Sequence, residues 1–179
     1  MAQTQKTLAA NYTALADSTT ADILAVSIRD AIESVRMGHG EIAVTSSTET
    51  TIGTQNTFVQ VAGTYTLSGN AHNWDMNTSG QLRYLGPEDR VVHIAGSFSL
   101  TSPVNNKTYR IAIAKNGTPI AVSEVQRKLG ISADVGSGAA HSLIDVATND
   151  YISMMVTNST DTTNITFVTL TLSCVDMVI

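Results

Sequence analysis

Residues 90–100 read RVVHIAGSFSL. Val92, Ile94, Gly96, Phe98 and Leu100 fall on one side of an extended chain, and His93, Ala95, Ser97 and Ser99 on the other, because successive side chains of a strand point to opposite faces. An alternation of that length predicts a strand with one packed face and one wetter face.

The same period of two recurs along the chain from Glu41 onward. EIAVT (41–45), FVQV (58–61), TYRIAIAKNG (108–117), PIAVSEVQ (119–126), HSLIDVA (141–147), DYISMMVTN (150–158) and NITFVTLTLSCV (164–175) alternate apolar and polar residues or are rich in β-branched ones, with turn clusters between them. Lys115-Asn116-Gly117-Thr118 is the strongest turn signal, since Asn-Gly accepts the positive φ angles of a type I′ hairpin. Residues 109–125 are therefore predicted to be two antiparallel neighbours. The stretches 68–80 and 130–138, full of glycine and small polar residues, read as surface loops, with Gly136-Ser137-Gly138 as a flexible tip. About eight to ten strands with no helical pattern between them predict an all-β fold, an antiparallel jelly-roll sandwich over residues 41–179.

Residues 1–40 have a different character. Positions 1–17 carry few structural signals and suit an extended arm whose order depends on a partner. Ser18, Thr19 and Thr20 offer helix-capping oxygens and Asp22 a negative charge in the first turn. Leu24, Ile28, Ile32 and Val35 then recur at helical spacing, and Gly38 stands where a left-handed C-terminal cap is wanted, so one short α-helix is predicted over about residues 20–37. Its apolar stripe has three possible coverings: the chain's own sandwich, a three-helix seam, or a larger assembly into which it docks.

Composition narrows the function. Charged residues make up 14% of the 179-residue chain, against about 25% in ordinary soluble domains, and Thr, Ser and Asn supply the polarity instead. A net charge of −5 with no basic stripe argues against a nucleic-acid partner. No stretch approaches the roughly eighteen apolar residues of a membrane span, and the first residues lack a basic patch followed by an apolar run, so no membrane partner is expected and folding in a cytoplasm is. Cys174, the single cysteine, lies in an alternating apolar run with no basic neighbour to activate its thiol, and reads as a core residue.

Chemistry-bearing motifs are scarce. His39, His72, His93 and His141 are widely separated, with no pair at ligand spacing, so no metal site is predicted. No G-x-S-x-G holds a serine on a strained turn, and Gly136-Ser137-Gly138 lacks the lysine and helix of a phosphate cradle. Glu88 and Asp89 follow Gly86-Pro87 and read as solvated turn acids. Trp74, in the 68–80 loop, is a possible surface-recognition residue, though packing beneath the loop is the more ordinary role for it. No catalytic residue and no cofactor is expected, and the chain reads as a non-enzyme.

Two stretches carry a resemblance. ADSTTADILAVSIRDAIESV (16–35) resembles a short module near the N-terminus of bacteriophage virion proteins, with Asp17, Thr19, Thr20, Ile23, Ile28, Arg29, Asp30, Ser34 and Val35 in matching places and Ala21 and Val26 departing from it. FVQVAGTYTL (58–67), LRYLGPEDRVVHIAGSFSLTS (82–102), YRIAIAKNGTPIAVSEVQRKLG (109–130) and LIDVATNDYISMMVTN (143–158) are similar to the tumour-necrosis-factor-like and complement-globular-head jelly rolls. Asn149 stands where that family usually has glycine.

The resemblance implies a homotrimer in which one sheet faces the threefold axis. Strand alternation nominates Tyr109, Tyr151, Met155 and Phe167 for the trimer interface, and a contact of that kind buries more than roughly 2,000 Å². It also implies a virion location, with the phage major capsid protein or other virion proteins as partners and Leu24, Ile28, Ile32 and Val35 on the anchoring helix. The leading expectation is a trimeric capsid decoration or cement protein that bridges capsid subunits. The alternative is the tip of a tail or head fibre that binds a host surface receptor, and a polysaccharide-active enzyme ranks last.

Overall fold

The computed structural model describes residues 22–29 and 36–177. The chain divides into two compact units, Met1–Arg36 and Met37–Ile179. In the first, residues 22–29 are α-helical, with Leu24 half-buried and Ile28 exposed. Ile32, Val35 and the arm at 1–17 lie outside the described residues.

Gly38 does not cap a helix in the left-handed conformation, since its φ is not positive. Its smallness serves a close approach. The Gly38 N–H donates to Asp176 Oδ2 at 2.9 Å, and a Cβ at this position would sit 2.6 Å from the same oxygen.

The second unit is an antiparallel jelly-roll sandwich. Its strands run β1 (His39–Ser47), β2 (Glu49–Thr50), β3 (Val59–Gln60), β4 (Gly63–Leu67), β5 (Trp74–Met76), β6 (Leu82–Tyr84), β7 (Arg90–Thr101), β8 (Lys107–Lys115), β9 (Thr118–Pro119), β10 (Val125–Leu129), β11 (Val135–Val146), β12 (Tyr151–Asn158) and β13 (Ile165–Asp176). The first sheet has the order β11-β7-β13-β1-β4, with β2 paired to β13. In the second the order is β10-β8-β12-β6-β5, with β3 on β12 and β9 on β8. Neighbours in space are mostly not neighbours in sequence, so the two sheets are joined by crossing connections.

Alternation places the core where the sequence predicts it. In β7, Val92, Ile94, Gly96, Phe98 and Leu100 are buried, while His93, Ala95 and Ser99 are half-buried and Ser97 exposed. Ile152, Met154 and Val156 of β12 are buried in the same cluster from the opposite sheet. Each such side chain contributes about 1.5–3 kcal/mol by leaving water. Phe98 meets Phe167 edge-on, with ring centroids 5.8 Å apart.

The Asn-Gly hairpin forms as predicted, with φ of 51° at Asn116 and 76° at Gly117. Beyond it the path differs from a simple pair of neighbours. β9 ends at Pro119, which has no N–H for a longer ladder. A 3₁₀ turn over Ala121–Ser123 follows, and β10 then rejoins β8 at Val125 opposite Ile111.

Two predicted loops also contain strand. β5 lies inside the 68–80 stretch, and β11 begins at Val135, so Gly136 and Gly138 are strand residues rather than a flexible tip. A Cβ on Gly138 would lie 2.7 Å from the Phe98 ring. Glycine is there to let a strand cross an aromatic face. Asn149 takes a left-handed backbone with φ of 74°, a conformation that asparagine tolerates better than most residues.

Candidate assembly face

The outward side of the first sheet is laid out by its registers. One row across the strands is His39, Val175, His93 and Leu143; the next is Glu41, Ser173, Ala95 and His141; a third is Ala43, Thr171, Ser97 and Ala139. Every outward residue of β7 and β11 between His93 and Ser99 and between Val135 and Leu143 is small, hydroxylic, aliphatic or histidine. Asp145 is the one carboxylate pointing outward from β11, and none of these stretches carries a lysine or arginine. Val135, Leu143 and Val168 are exposed at 58%, 60% and 47%.

Two shallow grooves meet on this face. One, of about 460 Å³, has a floor of Ala95, Ser97, Ala139 and Thr171; the other, of about 670 Å³, is bordered by Val122, Leu143 and Met177. His93 and His141 line both. The two imidazoles stand with centroids 5.9 Å apart, although they are far apart in sequence. Spacing along the chain hid this pair. His141 lies opposite Ala95, and His93 opposite Leu143, so the rings are diagonal neighbours across a strand pair, where long side chains reach each other. His39 and His72 form a second pair at 6.3 Å.

The outward side of the second sheet carries charge. Arg110 makes a two-pronged contact with Glu124, both bonds 2.6 Å long, and its guanidinium lies over the Phe58 ring. Arg83 grips Asp75 in the same way, at 3.0 and 2.6 Å. The Arg110 hydrogen bond holds the Glu124 carboxyl below its ordinary range. Lys107 does the same at the loop after β12, where its bond to Asp161 brings that carboxyl down to about 2.

The residues nominated from the sequence do not gather at one place. Tyr109 and Phe167 are wholly buried inside the sandwich and cannot present themselves to another subunit. Tyr109 runs in phase with Ile111 and Ile113, which turns it inward; its hydroxyl meets Ser102 Oγ and donates to the Asn164 carbonyl, each at 2.9 Å. Phe167 is taken up by its contact with Phe98. Tyr151 and Met155 are half-buried on the outward side of the second sheet, where Tyr151 pairs with Arg83 and Met155 with Gln60.

Trp74 is no surface-recognition residue, being 4% exposed and stacked at 5.1 Å on Tyr84. Burial of its ring outweighs its indole N–H, which has no partner among the described residues. Cys174 is buried with its thiol pushed up by desolvation. Glu88 pairs with Arg90 at 2.9 Å in its turn.

With two sheets, their order and their connections in view, solved structures can be compared. The sandwich is similar to murine APRIL. Its crystal structure at pH 5.0 matches with a TM-score of 0.54 and 10% identity, over 78% of this chain and 99% of that one. Eiger TNF from S. frugiperda matches at 0.49 with 8% identity, over 79% and 93% of the two chains. The globular domain of zebrafish complement 1qA matches at 0.46 with 8% identity, over 79% and 97%. No family model matches the sequence, and no curated protein is significantly similar to it. At such identity the likeness to APRIL is one of fold, so what the outer faces do must be argued from their own side chains.

Proposed function

We propose that this chain is a non-enzymatic structural protein that assembles as a homotrimer through the outward face of its first sheet and decorates a bacteriophage capsid, held there by its N-terminal region. The observation that carries the reading is the near-absence of charge on that face. A sheet face meant for water is normally polar, with about 25–35% of surface positions charged, and large contiguous apolar patches mark contacts. Here the outward positions of β7, β11 and β13 include Ala95, Ser97, Ala139, Leu143, Val168 and Thr171, with Asp145 the one charge among them. Sister copies are the occupant the chemistry favours, because the jelly-roll resemblance implies a threefold assembly with one sheet at its axis.

The virion placement rests on the likeness of residues 16–35 to an N-terminal module of phage structural proteins. Three copies of a modest anchor bind together far more tightly than one, since the second and third contacts form at high effective concentration. That is the mechanism of a cement protein: each trimer bridges capsid subunits that internal pressure pulls apart. The fibre-tip reading loses ground, because Trp74, the aromatic available for a recognition loop, is consumed in the core.

Sedimentation equilibrium of the purified chain is expected to return a trimer at micromolar concentration. Adding it to capsids that lack it is expected to raise their resistance to heat. A stable monomer overturns the assembly, and a trimer that leaves capsids unprotected but blocks adsorption to cells replaces decoration with receptor binding.

A further inference from the structure

We infer that His93 and His141 form a binding site for a divalent transition-metal ion of the nickel, copper or zinc class. The site lies on the face just assigned to assembly but does not require the assembly. Around a tetrahedral metal ion at the usual Zn–N distance of about 2.0–2.1 Å, two imidazole centroids stand roughly 5 Å apart. The rings of His93 and His141 are 5.9 Å apart, tilted by 54°. Sharing an ion requires the rings to close by under about 1 Å, a movement of the size that torsional play within a rotamer well allows.

The surroundings favour this use. Ala95, opposite His141, is small and leaves the ring of His141 room to lean toward β7. In the free subunit grooves open on both sides of the pair, so water can fill the remaining coordination positions before a sister copy covers the face. Among the described residues no group of three or more histidine, cysteine or acidic side chains converges, and the site is therefore a two-ligand one, weaker than a structural zinc centre.

The pair at His39 and His72 is less suited. His39 Nδ1 already faces the Met37 carbonyl at 3.1 Å, and the rings are further apart. Cationic side chains do not compete at His93 and His141 either: the outward positions beside them on β13 and β1 are Ser173, Val175, His39 and Glu41. Imidazole ligation predicts the order Cu²⁺ above Ni²⁺ above Zn²⁺ or near it, with Mg²⁺ not bound, because Mg²⁺ demands oxygen donors. Ligands must also be deprotonated, so acid releases the ion.

The test is calorimetric titration of the full chain with NiCl₂, ZnCl₂ and MgCl₂, alongside sedimentation of the same samples. We expect one Ni²⁺ or Zn²⁺ per chain with micromolar affinity and no Mg²⁺, at least tenfold weaker binding in both His93→Ala and His141→Ala, and unchanged binding in His39→Ala. Absence of saturable binding up to millimolar Zn²⁺, or binding that survives both substitutions, overturns the site. A trimer that binds no metal removes this inference alone, and a monomer that binds metal removes the assembly alone.

Discussion

The two outward faces of the sandwich are built on the same strand physics and dressed in opposite ways. On the second sheet, Arg110 with Glu124 and Arg83 with Asp75 form two-pronged ion pairs in partial contact with water. On the first, a floor of alanine, serine and threonine runs from a histidine pair, beside which Leu143 is exposed, toward the exposed Val135. Exposed ion pairs contribute little to stability, about 0–1 kcal/mol each, but they make a face costly to dehydrate and so keep it in water. A face of small uncharged side chains costs little to dry, and a flat one lets another chain approach closely. The contrast is what favours the first sheet as the proposed assembly face.

The largest test places a charge on each face in turn. Ser97→Arg, in the middle of the uncharged face, is expected to weaken self-association by at least about a hundredfold, since burying one unpaired charge costs several kcal/mol; Gln126→Arg, on the exposed edge of the second sheet, is expected to leave it unchanged. Sedimentation velocity reads both, with circular dichroism confirming that each variant is folded. Equal behaviour of the two variants would erase the distinction between the faces.

Between the faces lies the core, and Phe167 separates packing from assembly. Phe167→Ala is expected to cost about 3–5 kcal/mol of unfolding free energy, the range for truncating a buried aromatic, measured by urea denaturation at a fixed chain concentration. An unfolding midpoint that barely moves while the trimer dissociates would return Phe167 to the interface.

The smallest effect belongs to the charged face. Because Arg110 lowers the Glu124 carboxyl in the folded chain, the pair stabilises above the ordinary carboxylate value of 4.5 and its contribution fades as pH falls through the lowered folded value. Glu124→Gln is expected to cost under about 1 kcal/mol at pH 7 and nothing at the acid end of the same urea series. A cost that grows on acidification would contradict the sign.

Much of the fold was legible along the chain. Alternation in 90–100 told which side chains of β7 are buried, and Asn116-Gly117 told where β8 turns. The failures share a cause: local pattern says that a side chain alternates, and does not say what lies on either side. Tyr109 and Phe167 were nominated outward because an aromatic in a strand suits core and interface equally. Gly136 and Gly138 resemble a loose tip until Phe98 is seen beneath them. Trp74 sits in a polar stretch, yet β5 turns it onto Tyr84.

What the amino-acid order determined by itself is the class of structure, an antiparallel sandwich, since period-two patterning and turn chemistry act over a few residues and need no distant partner. What only the folded chain decided is which sheet stays bare and which histidines meet. Those depend on strand order and register, which bring β7 beside β11 and β13 from distant parts of the sequence and set His141 diagonal to His93.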